Sequence, residues 1–155
     1  MTKNEKAFLD MIAWAEIGPR LLNVSDNGYN VLVGSTSKNP KLFYDYSDHP
    51  RILIRINDKL ESTAAGRYQI LKRTYDAYKI RCNLHDFFPS SQDKIALQLI
   101  KERGAIRDIN SGRIEEAIHK VRNIWASLPG AGYKQHEHKM TDLLAIFINA
   151  GGMIA

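Results

Sequence analysis

The chain begins with apolar residues at helical spacing, which predict an amphipathic helix. Phe8, Ile12 and Glu16 recur at intervals of four residues and therefore lie on one face of this helix. Because Gly18-Pro19 cannot continue a helix, we expect it to end near Glu16. The apolar face of the predicted helix thus ends in a carboxylate.

The segment that follows shows short apolar runs separated by turn residues. Residues 29–33, 42–46 and 52–56 are strand candidates, because their apolar and aromatic side chains alternate with polar ones or form short bounded runs. A turn rich in serine, with glycine and proline at its ends, spans residues 34–40 and separates the first two candidates. The pattern predicts a small three-stranded antiparallel sheet, preceded by a loop over residues 20–27.

From Gly66 onward the apolar and aromatic residues return to spacings of three and four. This periodicity predicts four further helices, in the segments 68–82, 89–104, 114–125 and 140–150. The order of one helix, a small sheet and several helices predicts an α+β fold, with a mainly helical lobe, a sheet lobe and a cleft between them. We expect Glu16, at the end of the first helix, to lie near that cleft.

Composition places the chain among soluble globular proteins. Its 155 residues, 44% apolar and 25% charged, suffice for one domain spanning residues 1–155. Cys82 is the only cysteine, which excludes an intramolecular disulfide and a C-x-x-C metal site and is compatible with a reducing cytoplasm. No apolar run approaches ~18 residues, so we expect no membrane insertion, and the first residues lack the apolar segment of a signal peptide.

The net charge of +5 favours an anionic partner, such as a nucleic acid, an acidic glycan or a membrane surface. The basic residues are spread along the chain, without a run of five, and neither a zinc finger nor an RRM signature is present. We therefore do not expect a nucleic-acid partner.

Glu16 is the first candidate for acid chemistry. Burial disfavours a charged carboxylate, and so does the negative end of a helix dipole. Both effects would raise its pKa from about 4.3 toward about 6, where the acid can still donate a proton near neutral pH. Periodicity alone, however, favours a frayed helix end at which Glu16 reaches water.

Three further residues could contact a sugar. Ser62 and Gln69 flank a turn that opens a predicted helix. Composition alone favours an ordinary cap by Ser62 or Thr63; the alternative is that the Ser62 hydroxyl and Gln69 offer neutral hydrogen-bonding groups to a ligand. Tyr133 follows a glycine-containing loop and could form a platform for a sugar or fill the edge of the core.

The remaining polar motifs have ordinary structural interpretations. His136 and His138 stand two residues apart and cannot share a helix face, so we interpret residues 136–138 as a solvated helix start rather than a metal site. Asp26 and Asp48 could each supply the second carboxylate that a glycosidase normally needs, although both lie in turn sequences.

Several stretches of the chain resemble the lambda-type phage endolysins, which are lytic transglycosylases of lysozyme-like fold. The matching residues are 6–11, 13–14, 16, 45–51, 65–69, 100–105 and 123–133. Departures from the family pattern are the segment 17–27, Ala64 in place of a glycine, and Thr74-Tyr75 in place of an aromatic pair. The position of Asp26 is not acidic in the family, which argues against an essential role for it.

The resemblance implies a single lysozyme-like catalytic domain in which Glu16 is the catalytic acid and base. It also implies that Ser62, Gln69 and Tyr133 bind the substrate, and that neither a metal nor another cofactor is needed. The implied substrate is the glycan strand of peptidoglycan, cut at the β-1,4 bond between N-acetylmuramic acid and N-acetylglucosamine to give 1,6-anhydromuramoyl products.

The same resemblance implies how such an enzyme would act in the cell. We expect a monomer that stays in the host cytoplasm until a holin releases it to the periplasm, where it lyses the cell wall. Two alternatives remain at this point: a muramidase that hydrolyses the same bond with Asp26 or Asp48 as second carboxylate, and a wall-binding module without catalysis.

Overall fold

A computed structural model describes residues 1–132 and 136–155, which contain seven helices and one two-stranded sheet. The helices are α1 (Lys3–Ile17), α2 (Pro19–Val24), α3 (Lys72–Arg81), α4 (Pro89–Glu102), α5 (Ile106–Asn110), α6 (Ile114–Val121) and α7 (Met140–Asn149). The strands are β1 (Ile54–Asn57) and β2 (Leu60–Ser62). The chain divides into two compact units, residues 1–16 with 96–155 and residues 17–95.

Amphipathic helices form the core of the first unit. Helix α6 shows the pattern clearly, since its residues at spacings of three and four are buried while the residues between them are exposed. Helix α7 packs against α6, and four residues of α1 and α7 are fully buried: Phe8, Ile12, Leu143 and Phe147. Each such side chain contributes about 1.5–3 kcal/mol through its removal from water, so α1 is firmly held up to its last turn.

The second unit contains the sheet, and its extent corrects the prediction. Strand β1 pairs antiparallel with β2, with Ile54 opposite Ser62. The predicted strands over residues 29–33 and 42–46 form isolated bridges instead, the first of which joins Val31 to Leu42. Within the described residues, the prediction of three strands is therefore wrong, although the α+β class is confirmed.

Turn conformations explain this difference. Asn27 and Gly28 both have positive φ, 48° and 86°, and the backbone from residue 25 to residue 30 forms consecutive turns. The residues before Val31 are therefore in turns, so that no extended strand leads up to the bridge at Val31. Strand β1 instead pairs with the segment that follows it directly, which is the pairing of lowest loop-closure cost.

The helix predictions are confirmed for α1, α3, α4, α6 and α7, with ends that differ by a few residues. Two short helices, α2 and α5, were missed: α2 lies mostly in the segment predicted as a loop, and no element was predicted where α5 lies. Pro19 begins one of them, α2, at a position where its missing N–H costs nothing.

No helix in the described part of the chain has both the length and the apolar character required to span a bilayer.

Candidate active site

Glu16 lies in the last turn of α1 and is half-buried. Its neighbours on the helix, Ile12 and Ala15, are buried. The hydroxyl of Ser127 donates a hydrogen bond of 3.3 Å to Oε1 of Glu16. Because α1 continues to Ile17, the alternative of a frayed and solvated helix end is wrong.

Burial raises the pKa of Glu16 from 4.5 to about 7, and the hydrogen bond from Ser127 opposes this rise. Burial acts by disfavouring the charged carboxylate, whereas a donated hydrogen bond favours it. The upward shift predicted from the sequence is thus confirmed in direction. A carboxyl of this pKa is present in both forms near neutral pH, so it can donate a proton and then accept one.

Ser127 is positioned by a turn that follows α6. Trp125 and Leu128 on either side of it are buried, and the N–H of Leu128 donates to the carbonyl of Trp125 at 3.2 Å. These two buried side chains and the hydrogen bond fix the backbone of the turn, and with it the position of the Ser127 hydroxyl. The sequence pattern gave no reason to select Ser127, because a lone serine in a turn has no distinguishing signal.

His138 contacts the end of α1 as well. Its ring centroid lies 4.8 Å from that of Trp14, and its Nε2 is 3.0 Å from the carbonyl oxygen of Ala15. Its backbone N–H donates to the carbonyl of Ser127 at 2.8 Å. The interpretation of residues 136–138 as a solvated helix start is therefore wrong, since α7 begins only at Met140.

The carboxylate of Glu137 binds the backbone of the glycine loop. It accepts hydrogen bonds of 3.1 Å from the N–H groups of Gly130 and Gly132, which hold the pKa of Glu137 below its usual range. Tyr133, which follows this loop, lies outside the described residues, so its role in substrate binding stays a prediction.

Among the residues described, no cluster of His, Cys, Asp and Glu has the size and spacing of a metal site.

Ser62 and Gln69 belong to the second unit, where each makes local hydrogen bonds. Ser62 ends β2 and accepts the N–H of Ala64 at 3.1 Å. The Nε2 group of Gln69 donates to the carbonyls of Gly66 at 2.8 Å and Val31 at 3.3 Å. Both side chains remain partly exposed, so a ligand could still reach them.

The buried side-chain amide of Gln92 binds the turn that carries Gln69. Gln92 is fully buried, and its Oε1 accepts the N–H of Arg67 at 3.0 Å while its Nε2 donates to the carbonyls of Tyr29 and Phe87 at 3.0 and 2.9 Å. A Cβ atom on Gly66 would lie 2.3 Å from this Oε1. The glycine is therefore required by close packing as well as by its φ of 83°.

The two candidate second carboxylates have structural partners. Asp26 accepts a hydrogen bond of 2.6 Å from the hydroxyl of Tyr46. Asp48 accepts one of 2.7 Å from Nε of Arg51, and that bond holds the pKa of Asp48 below its usual range. Both residues therefore take part in structural contacts of the second unit.

Comparisons with known proteins agree over almost the whole chain. A family model described as Endolysin matches residues 6–154. The endolysin of Escherichia phage lambda is 52% identical over 155 residues, which cover 99% of this chain and 95% of that protein. The endolysin of Escherichia phage P2 is 46% identical over 160 residues, which cover 99% of this chain and 96% of that protein.

Solved structures give the same result for the fold. A structure of bacteriophage lambda lysozyme complexed with a chitohexasaccharide matches with a TM-score of 0.91 and 51% identity, and the match covers 100% of this chain and 98% of that one. A second structure of lysozyme from bacteriophage lambda has a TM-score of 0.84 at 50% identity, with the same coverage of both chains. The predicted lysozyme-like fold is thereby confirmed, and the chain belongs to the endolysin family.

Proposed function

We propose that this endolysin lyses peptidoglycan as a lytic transglycosylase. It cleaves the β-1,4 bond between N-acetylmuramic acid and N-acetylglucosamine and forms 1,6-anhydromuramoyl products. The observation that carries the proposal is the burial of the Glu16 carboxyl in the last turn of α1. Burial raises its pKa to about 7, which lets one carboxyl act first as an acid and then as a base.

The reaction needs only one protein carboxyl because the substrate supplies the nucleophile. Protonated Glu16 donates its proton to the glycosidic oxygen as the bond to the anomeric carbon breaks. The resulting carboxylate accepts the proton of the muramoyl C6 hydroxyl, whose oxygen bonds to the anomeric carbon. No water is consumed, and Glu16 ends the cycle protonated again.

Ser62, Gln69 and Tyr133 are the proposed substrate-binding residues. The partly exposed hydroxyl and amide of the first two suit the hydroxyl and acetamide groups of amino sugars. The similar lambda lysozyme was solved with a chitohexasaccharide, which supports a glycan strand as the ligand of this chain. No metal or organic cofactor takes part in the proposed reaction.

Product analysis tests the proposed reaction. Purified peptidoglycan is digested to completion and the muropeptides are analysed by mass spectrometry. We expect fragments lighter by one water than hydrolysis products and without new reducing ends. Reducing ends alone would overturn the transglycosylase proposal in favour of a muramidase that uses Asp26 or Asp48 as its second carboxylate.

Substitution of Glu16 tests the assignment of the acid. Glu16→Gln should abolish wall lysis and leave the fold intact, as judged by circular dichroism. Glu115→Gln, on the exposed face of α6, is the matched control and should retain full activity. Near-normal lysis by Glu16→Gln would overturn the assignment, and wall binding without lysis by the unmodified protein would identify a binding module.

The proposal extends to the place of action. The endolysin acts as a monomer on wall in the periplasm, and it remains in the host cytoplasm until a holin opens the inner membrane. The net charge of +5 draws the enzyme to an anionic wall, and salt should weaken this attraction. Lysis of intact cells only when a holin is co-expressed would support this release route.

A further inference from the structure

The C-terminal end of α1 lacks a hydrogen-bond donor that an uninterrupted helix would supply. The carbonyl of Ala15 would accept the N–H of residue 19 in a continuing α-helix, but residue 19 is Pro19, which has no N–H. Nε2 of His138 lies 3.0 Å from this carbonyl oxygen. Because a carbonyl only accepts, the bond requires the proton to be on Nε2.

His138 also contacts a neighbour of Glu16 in α1 and the serine that binds its carboxyl. Its ring packs on Trp14, two residues before Glu16, with the ring centroids 4.8 Å apart. Its backbone N–H binds the carbonyl of Ser127 at 2.8 Å, and the hydroxyl of Ser127 donates to Oε1 of Glu16 at 3.3 Å. One residue therefore connects the helix end that carries the carboxyl with the serine that binds it.

We propose that His138 is a positioning residue for Glu16: it caps the end of α1 with its ring and holds Ser127 against the carboxyl with its backbone. This proposal rests on the proposed function of Glu16. His138 does not touch the reacting atoms in this scheme. It acts by fixing the position of a group whose displacement by about 1 Å can cost roughly a hundredfold in rate.

Two substitutions separate the hydrogen bond from the packing of the ring. His138→Phe keeps an aromatic ring against Trp14 but removes the Nε2 donor. His138→Gln places an amide N–H near the position of Nε2 and keeps the donor. Exposed His119 on α6 provides the matched control as His119→Phe.

We expect His138→Phe to lower kcat by about tenfold or more with KM nearly unchanged, because the defect lies at the reacting carboxyl and not in substrate binding. His138→Gln should restore most of the rate, and His119→Phe should match the unmodified enzyme. All rates are measured well below the unfolding temperature of every variant, so that differences in stability do not affect the comparison of kcat.

A second measurement does not depend on activity. The titration of Glu16 can be followed by NMR of its 13C-labelled carboxyl carbon. His138→Phe keeps the backbone N–H that binds Ser127 but frees the end of α1, and displacement of Glu16 from Ser127 should move this midpoint to higher pH. An unchanged midpoint together with an unchanged kcat would overturn the role of His138, even if the melting temperature fell. An active Glu16→Gln variant would instead overturn the proposed function, so the two failures are distinguishable.

Discussion

The hydroxyl of Ser127 donates to Oε1 of Glu16 across 3.3 Å, from a turn that lies 111 residues later in the chain. Burial raises the pKa of the carboxyl, and this single hydrogen bond acts in the opposite direction. The balance holds the pKa at about 7, where an acid can both give and take a proton. Ser127 is thus the residue through which the proton affinity of Glu16 can be changed without altering the carboxyl itself.

Removal of this donor should raise the pKa of Glu16. In Ser127→Ala the carboxylate loses the hydrogen bond that favours its charged form, while burial remains. The reaction begins with protonated Glu16, so activity falls as pH rises through its pKa, and we expect this alkaline limb to move to higher pH. The measurement is the rate of wall lysis between pH 5 and 9, values that bracket the pKa on both sides by roughly two units.

Two variants serve as controls for this shift. Ser127→Thr keeps the hydroxyl and should keep the alkaline limb near its original position. Ser111→Ala removes an exposed serine from the same unit and should leave the profile unchanged. An identical pH profile for Ser127→Ala would show that the serine does not tune the acid.

The raised pKa of Glu16 also predicts how stability changes with pH. Between the ordinary value of 4.5 and about 7, the native state binds a proton that the unfolded state has lost, so stability falls as pH rises through this window. Glu16→Gln removes the ionisable group. The variant should equal the unmodified protein in stability near pH 4 and exceed it at pH 8, by at most about 3 kcal/mol.

Urea unfolding at the two pH values measures this difference. Glu115→Gln on the exposed face of α6 is the control and should show no such pH dependence. A stability difference that is the same at pH 4 and pH 8 would contradict a buried carboxyl with a raised pKa. This outcome would also remove the main support for Glu16 as the catalytic acid.

The sequence predicted the parts of the site that depend on local periodicity. Gly18-Pro19 marks the end of α1, and helical spacing places Glu16 on its apolar face; both signals act over a few residues. The partners of Glu16 could not be predicted in this way. Ser127 and His138 reach α1 from more than a hundred residues away, and neither belongs to a motif that marks such a contact.

The sheet shows the same limit. Residues 29–33 and 42–46 were predicted as strands, but the two segments pair only at Val31 and Leu42, in an isolated bridge. Their alternating side chains could not indicate that the pairing stops there, because that depends on the positive φ angles of residues 27 and 28. The turns over residues 25–30 thus leave only a bridge where the first strand was predicted.

Gly66 should be intolerant of any side chain. Its φ is 83°, and a Cβ atom would lie 2.3 Å from Oε1 of the buried Gln92 and 3.1 Å from the ring of Phe87. Gly66→Ala therefore combines backbone strain with a clash that displaces the hydrogen bond from Arg67. We expect a loss of about 2–4 kcal/mol in the free energy of unfolding, measured by urea denaturation.

A second glycine separates the clash from the backbone strain. Gly104 has a similar φ of 74°, but no atom lies within 4 Å of the position that its Cβ would take. Gly104→Ala should therefore cost only the left-handed backbone strain, about 1–2 kcal/mol. Equal losses for the two variants would contradict the close packing of Gly66 against Gln92.

Asp108 should show a pH dependence opposite in sign to that of Glu16. Its buried carboxylate lies 2.6 Å from Nζ of Lys120 and 3.0 Å from Nε of Arg113, and the bond from Lys120 is the main cause that holds the pKa of Asp108 below 3.8. A carboxyl whose native pKa is depressed adds stability above its unfolded pKa and loses it as pH falls through the native value.

Asp108→Asn should therefore lower stability at pH 7, by about 1–3 kcal/mol for the loss of charge-assisted hydrogen bonds to a buried group. Near pH 2, where protonation removes the same charge in the unmodified protein, the difference should shrink. Asp58→Asn is the control, because Asp58 forms a long, exposed ion pair of 3.6 Å with Arg55 that contributes little. Thermal unfolding from pH 2 to pH 7 measures both variants, and a gap for Asp108→Asn that widens toward acid would contradict the depressed pKa.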